Sequence, residues 1–166
     1  MTDVANEAMR VSQESRFLQF SLGHEVYAVP LLNVKEVIAF PEVTPIPYMP
    51  SHFLGIMNLR GKIISIIDLR TKFGIKSEPG SETVVIICDL GAVCLGVVVN
   101  SVNSVLTLNP EDISPKPDLE NTKKTDYILG VARKEEKLTL LIDIGRALDV
   151  KDYQMIQKST EEKRHA

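Results

Sequence analysis

The stretch Phe20-Ser21-Leu22-Gly23-His24-Glu25-Val26-Tyr27-Ala28-Val29-Pro30-Leu31-Leu32-Asn33-Val34-Lys35-Glu36-Val37-Ile38 has a counterpart 68 positions later, from Cys88 to Leu106. Leu22-Gly23 recurs as Leu90-Gly91. Tyr27, Ala28, Val29, Val34, Val37 and Ile38 align without a gap to Leu95, Gly96, Val97, Val102, Val105 and Leu106. Further on the offset grows to 75: Leu54-Gly55-Ile56 recurs as Leu129-Gly130-Val131, and Ile67-Asp68-Leu69 as Ile142-Asp143-Ile144. The second copy therefore carries seven extra residues in its middle. A self-similar plan of this length points to two structural units built alike.

Each copy is made of short β-branched runs broken by turn residues. They are Phe17–Leu22, Glu25–Leu31, Val34–Phe40, Phe53–Leu59 and Lys62–Asp68, then Thr83–Cys88, Val93–Val99, Val102–Leu108, Ile128–Arg133 and Lys137–Ile142. Ten strands at this spacing predict an all-β fold of small barrels or a sandwich. The expected architecture is two five-stranded halves, 16–75 and 83–150, each a small barrel that closes its own edges and packs on the other. The concave seam between them is the default place for a ligand or partner. Residues 76–82 have linker composition (Lys76, Ser77, Glu78, Pro79, Gly80, Ser81), and Asn109–Asp126, with Pro110, Pro115 and Pro117, reads as a surface loop. Residues 1–15 read as a flexible N-terminal tail. Residues 151–166 read as a short C-terminal helix, Lys151–Lys158, docking through Tyr153, Met155 and Ile156 and followed by a charged tail.

Composition narrows the function. The chain has 166 residues, 44% of them hydrophobic and 25% charged, and a net charge of −3. Both halves are mildly acidic: 8 Lys+Arg against 9 Asp+Glu before Val84, and 11 against 13 from there on. No nucleic-acid or membrane-surface footprint follows from that balance. The longest apolar run, Ala92–Val99, is far shorter than the roughly 18 residues a spanning helix needs, and the N-terminus lacks a signal layout. The expectation is a cytoplasmic protein without direct membrane insertion.

Side chains able to do chemistry are few. His24, His52 and His165 form no pair at metal-binding spacing and read as surface residues, so no metal or cofactor is expected. Cys88 and Cys94 flank a turn and face each other in a simple hairpin; their apolar surroundings raise thiol pKa values, which favours core packing over redox work. Asp68 and Asp143 each end an apolar strand and precede a helical turn, where a carboxylate accepts from free backbone N–H groups, so they read as structural caps. A thiol or acid–base enzyme built on Cys88, Cys94, Asp68 and Asp143 is the rival class. No phosphate loop or nucleophile elbow accompanies them, and a non-enzyme is expected.

Two polar segments point to a partner instead. Gly55-Ile56-Met57-Asn58-Leu59-Arg60-Gly61-Lys62 places Arg60 on a hairpin turn with no acidic residue between Val43 and Ile67; it either meets a partner or is a solvated arginine or one bridged to a distant acid. Its counterpart, Val131–Lys137, is diluted by Glu135 and Glu136. Val34-Lys35-Glu36-Val37-Ile38 and its repeat, Val102–Leu106, offer small β-branched residues that either floor a groove for a helix or belong to the core.

These residues together resemble the CheW adaptor proteins of bacterial chemotaxis. The likeness runs from about Arg16 to Leu148. It is carried by Phe17–Gly23, Tyr27, Val34–Ile38, the block Gly55–Gly61, Ile67–Arg70 with Phe73, Leu95–Val99, Val102, Val105 and Leu141–Ile144. The resemblance implies two SH3-like five-stranded β-barrel subdomains packed together. It implies a scaffold that couples the cytoplasmic hairpin tip of a chemoreceptor to the regulatory domain of the histidine kinase CheA, recruited to membrane-associated receptor arrays and joined there by CheW-like paralogues in rings. An adaptor of a parallel pathway, for surface motility or regulation, shares the pattern. Carried onto this chain, the receptor-binding positions are Val34, Glu36, Arg60, Gly96, Val102 and Val105, with the valines as floor and Gly96 allowing close approach. The kinase-binding positions are Ala39 and Asp89. The sequence departs from the pattern the resemblance implies at Asn100-Ser101, where an aspartate is more frequent, so an ionic contact is not expected to carry over there, while the fold is.

Overall fold

A computed structural model describes residues 16–75, 83–115, 126–134 and 136–164. The tail at 1–15, the linker at 76–82 and most of the extra loop, 116–125, lie outside the described residues. All ten expected strands are present to within two residues at their ends. They are β1 (Arg16–Leu22), β2 (Glu25–Pro30), β3 (Val34–Ala39), β4 (Phe53–Leu59), β5 (Lys62–Asp68), β6 (Val84–Asp89), β7 (Cys94–Val99), β8 (Ser101–Thr107), β10 (Ile128–Lys134) and β11 (Lys137–Ile142). An eleventh, the two-residue β9 (Ile113–Ser114), falls in the segment expected to be loop. Two one-turn helices, α1 (Leu69–Lys72) and α2 (Ile144–Ala147), follow β5 and β11, and α3 (Val150–Arg164) is longer than the short helix expected.

The strands form a six-stranded sheet, β8-β1-β2-β11-β10-β9, and a five-stranded sheet, β3-β6-β7-β5-β4. The fold is all-β. The strand ladders do not close into barrels, and one sheet has six strands, not five.

The repeat holds to the level of single residue pairs. Gln19 and Phe20 oppose Ser104 and Val102, as Ile87 and Cys88 oppose Glu36 and Val34, so Asn103 and Lys35 bulge at equivalent positions. Leu129 and Leu54 bulge alike in the β10–β11 and β4–β5 pairs. The parallel pairs match too, Leu141 beside Ala28 and Ile66 beside Gly96. Even β9 has a counterpart in the single bridge between Thr44 and Ile56.

The expected assignment of 16–75 to one unit and 83–150 to the other does not match this pairing. Each copy gives its first hairpin to the other: β1–β2 joins β8–β11, and β6–β7 joins β3–β5. Connector length accounts for the crossing in the second copy. A hairpin reversal needs about two loop residues, yet only Asn100 separates β7 from β8. The chain runs on into the other sheet.

Strand alternation then sorts the apolar residues onto two faces. Leu95, Val97 and Val99 of β7 join Leu18, Phe20, Leu22, Tyr27, Val29, Ile86 and Cys88 in a core shared by the two sheets, closed by Ile67, Leu69, Ile142, Ile144 and Ile156. Full burial of each such side chain is worth about 1.5–3 kcal/mol. A second cluster (Met57, Ile64, Ile66, Val85, Ile87, Val98) lies on the far face of the five-stranded sheet, and a third (Phe17, Ala28, Leu108, Ala132, Leu141) on the far face of the six-stranded one.

Candidate functional site

Arg60 and Gly61 are the two loop residues of the β4–β5 hairpin, with φ of 50° and 88°. Positive φ at both positions is the signature of the tight turn that suits strand twist. The Asn58 side-chain oxygen accepts from the Gly61 N–H at 2.8 Å and pins the turn. From β3, the bulge at Lys35 puts Glu36 on the face opposite to Val34, beside Ile87. The result is an ion pair, Arg60 Nη2 to Glu36 Oε2 at 3.0 Å. Arg60 is bridged to a distant acid, and that acid is itself one of the expected partner-binding residues.

The pair overhangs a groove of about 380 Å³ lined by Lys35, Glu36, Leu59, Arg60, Lys62, Ile64, Ile87 and Cys94. All eight belong to the five-stranded sheet or its hairpin turn, so this groove lies within one unit and not at the expected seam. Burial raises the Cys94 thiol pKa; Lys35 opposes that shift, Asp89 adds to it, Lys62 opposes it, and the thiol stays above its ordinary value.

The other expected receptor positions are more scattered. Val34 and Val102 occupy equivalent places, opposite Cys88 and Phe20, and both pack partly buried against the shared core. Val105 stands 46% exposed on the edge strand β8, and its repeat partner Val37 is likewise exposed on the edge strand β3. Gly96 is buried. A Cβ there would lie 2.6 Å from Val85 and 2.7 Å from Ile66, so its smallness accommodates side chains of its own sheet. The Asn100 side-chain oxygen accepts from the Gly23 N–H at 2.7 Å.

Ala39 and Asp89, the expected kinase positions, are both exposed but lie at opposite ends of the β3–β6 pair. The Asp89 carboxylate accepts from the Gly91 N–H. Asp68 and Asp143 cap α1 and α2, accepting from Arg70 N–H and Arg146 N–H. Asp68 also holds the buried Arg70 guanidinium through Nε and Nη2, each at 3.0 Å. Cys88 and Cys94 do not face each other, since Cys88 opposes Leu95 and Cys94 opposes Asp89; they point to opposite faces. Burial pushes the Cys88 thiol up to about 12, and a thiol at that value supplies almost no thiolate near neutrality.

One cluster escaped the sequence reading. His52 is half-buried, not at the surface, and its Nε2 contacts Asp152 at 2.6 Å. Asp152 also takes Lys72 Nζ at 2.7 Å and the Asp149 N–H at 3.1 Å. These contacts dock the first turn of α3 beside β5. Nearby, Phe73 stacks on Tyr127 at 4.8 Å, beside a second groove of about 490 Å³ between α1 and α2. An acid among lysines at the start of a helix is a common sequence feature, and a partner 100 positions away leaves no local mark.

Among the described residues no group of three or more His, Cys, Asp or Glu side chains is placed to hold a metal, and no helix is long and apolar enough to cross a membrane.

Comparison with known proteins covers nearly all of this structure. The CheW-like domain model matches residues 16–152. The chain is 38% identical over 147 residues to a chemotaxis protein CheW of Klebsiella aerogenes, an alignment covering 88% of this chain and 87% of that protein. It is 30% identical over 139 residues to protein FrzA of Myxococcus xanthus, covering 81% and 86%. Its fold is similar to that of the scaffolding protein TtCheW of Thermoanaerobacter tengcongensis, with a TM-score of 0.76, 31% identity, and coverage of 84% of this chain and 95% of that one. With both sheets, the caps and the start of α3 inside the matched region, this chain belongs to the CheW-like domain family.

Proposed function

We propose that this chain is a non-catalytic adaptor of bacterial chemotaxis signalling that couples chemoreceptors to the histidine kinase CheA. It works in the cytoplasm by holding partners in a fixed geometry. The observation that carries this reading is similarity over most of the chain, in sequence and in fold, to proteins named for chemotaxis and to one described as a scaffold. The site chemistry agrees with it. The polar pair Glu36–Arg60 beside an apolar-floored groove is suited to recognition, while Asp68 and Asp143 are engaged as helix caps and the Cys88 thiol is buried.

Val34, Glu36, Arg60, Gly96, Val102 and Val105 are the proposed receptor-binding positions, with Gly96 acting through the packing beneath the groove. Ala39 and Asp89 are proposed kinase contacts, on separate parts of the surface. The similarity to FrzA favours, as a second reading, an adaptor of the same kind in a parallel pathway for surface motility or regulation.

Native co-purification with mass-spectrometric identification of bound proteins tests both. Recovery of a chemoreceptor and a CheA-type kinase supports the first reading, and a separate receptor–kinase set supports the second. Arg60→Glu is expected to weaken receptor binding by about 1–3 kcal/mol, the value of a charge-assisted hydrogen bond across an interface, with thermal stability unchanged. Recovery of neither partner class overturns the adaptor function.

A further inference from the structure

The groove of about 490 Å³ between α1 and α2 takes its walls from both units. Lys72 and Phe73 follow β5 of the five-stranded sheet, while Tyr127 precedes β10 and Arg146, Leu148 and Asp149 follow β11 of the six-stranded one. It therefore lies on the seam between the units, and its volume is that of a small-molecule site. Phe73 and Tyr127 stack there with centroids 4.8 Å apart and planes at 11°. Both pack partly buried against the shared core, which fixes an aromatic wall in place.

The charges around that wall are unequally engaged. Lys72 gives its ammonium to Asp149 at 3.3 Å and to Asp152 at 2.7 Å. Asp149 also accepts from the Asp152 N–H at 2.9 Å. The Arg146 side chain is exposed, its Nε stands 4.0 Å from Asp143, and among the described residues its guanidinium makes no hydrogen bond. The repeat gives the reason. At the offset of 75, Arg70 corresponds to Gly145 and Arg146 to Thr71. Arg70 follows its cap acid by two residues and is gripped by it through two bonds. In the second copy the arginine comes one residue later, about 100° further round the turn, and its guanidinium is left at the edge of the groove.

A planar fork of five N–H donors without an acceptor matches a carboxylate at two points. A ring on the same molecule completes the fit, since aromatic faces favour offset stacking. A cation would meet both Arg146 and Lys72, and a bare inorganic anion would leave the aromatic wall unused.

We propose that the seam groove binds a small aromatic carboxylate, its ring against the Phe73–Tyr127 wall and its carboxylate paired with Arg146. Arg60 precedes β5 and α1 follows it, so this site lies at the opposite end of the strand from the Glu36–Arg60 pair. The inference goes beyond the adaptor reading and stands or falls separately from it.

The test is a titration of the isotopically labelled full chain with phenylacetate, followed by amide chemical shifts, beside phenylacetamide and acetate. Phenylacetate is expected to give saturable shifts at residues 72–73 and 145–149. Phenylacetamide, which lacks the charge, should bind about tenfold more weakly, as the loss of a charge-assisted pair implies, and acetate should give no saturable shift. Arg146→Gln is expected to bring phenylacetate down to the level of the amide with the melting temperature unchanged, and Phe73→Leu to weaken acid and amide alike. Arg133→Gln, at an exposed cation on β10, should change nothing. Absence of saturable shifts up to roughly 10 mM probe, or shifts centred elsewhere, removes the site. Equal binding of acid and amide, or equal losses in the Arg146 and Arg133 variants, removes the pairing with Arg146 and overturns the proposal.

Discussion

The two sheets are the same object built twice, and they differ at one end. In the five-stranded unit the end of the sheet is an open groove floored by Ile64 and Ile87, with Glu36 and Arg60 above. In the six-stranded unit the positions equivalent to Ile64, Ile87 and Glu36 are Thr139, Gln19 and Ser104. There Gln19 donates to Thr139 Oγ1 at 3.1 Å and accepts from Ser104 Oγ at 3.2 Å, so the place is filled by the protein's own hydrogen bonds. The same frame thus carries an open groove in one unit and a set of internal hydrogen bonds in the other. Shared bulges, caps and registers set the scaffold; what a unit can bind lies in the residues by which the copies differ.

The helix caps give the largest contrast to break. Asp68 and Arg70 form a buried two-point pair, with side chains 10% and 9% exposed, whereas Asp143 and Arg146 stand 4.0 Å apart with side chains 32% and 58% exposed. Removing one partner of a buried pair strands the other charge, at a cost of about 3–5 kcal/mol. An exposed pair contributes about 0–1 kcal/mol. Arg70→Ala is therefore expected to destabilise by about 3–5 kcal/mol in urea denaturation, and Arg146→Ala by less than about 0.5. Similar losses in both variants would mean that the two caps are energetically equivalent despite their different burial.

Much of this contrast was invisible beforehand, for definable reasons. The ten strands and both caps were legible because period-two patterns and an acid at a strand end act over a few residues. The repeat was legible to the residue. Strand partnership was not: β1–β2 and β6–β7 carry the same apolar pattern, so either hairpin suits either set of receiving strands, and connector length gives a cue only at Asn100, where one residue is too short for a reversal. The partnership of Glu36 with Arg60 needed the Lys35 bulge, which moves one side chain to the other face. The placement of Cys88 and Cys94 failed by one residue of register, and a one-residue slip reverses a side chain's face.

The next contrast is α3, which breaks the twofold likeness. His52 and Lys72 reach Asp152 in one unit, while the equivalent positions in the other are Tyr127 and Ala147. Burial alone would raise the Asp152 carboxyl, but hydrogen bonds from Lys72 and His52 and the Asp149 N–H outweigh it and hold the pKa below 3.8. A depressed folded-state pKa gives stability that is present above the unfolded value and lost as pH falls through the folded one. Burial likewise opposes charge on Lys72, yet its bonds to Asp152 and Asp149 raise its pKa above 10.5, so its share is present below that value and lost as pH climbs through the higher one. Asp152→Ala is expected to cost about 2–3 kcal/mol near neutrality, the worth of charge-assisted hydrogen bonds to a buried acid. The gap between variant and wild type should narrow below pH 3.8. Denaturation curves at several pH values check this, and a gap that stays constant into acid assigns the loss to packing instead.

The finest contrast is between two equivalent turn residues. Gly61 has φ of 88° and Glu136 has φ of 64°, and both sit in the hairpin that follows β4 or β10. A Cβ on Gly61 meets nothing within 4 Å, so a substitution there changes only the backbone term. Left-handed backbone costs a non-glycine residue about 1 kcal/mol, and glycine escapes it at some expense in unfolded-state entropy. Gly61→Ala should therefore destabilise by about 1 kcal/mol, and Glu136→Gly should stabilise by less than about 1. The pair is informative because Gly61 adjoins Arg60 and Glu136 has no comparable neighbour. If receptor affinity falls with Gly61→Ala by more than the stability change accounts for, while Glu136→Gly leaves it untouched, the turn's conformation, and not merely its charge, is what presents the guanidinium to a partner.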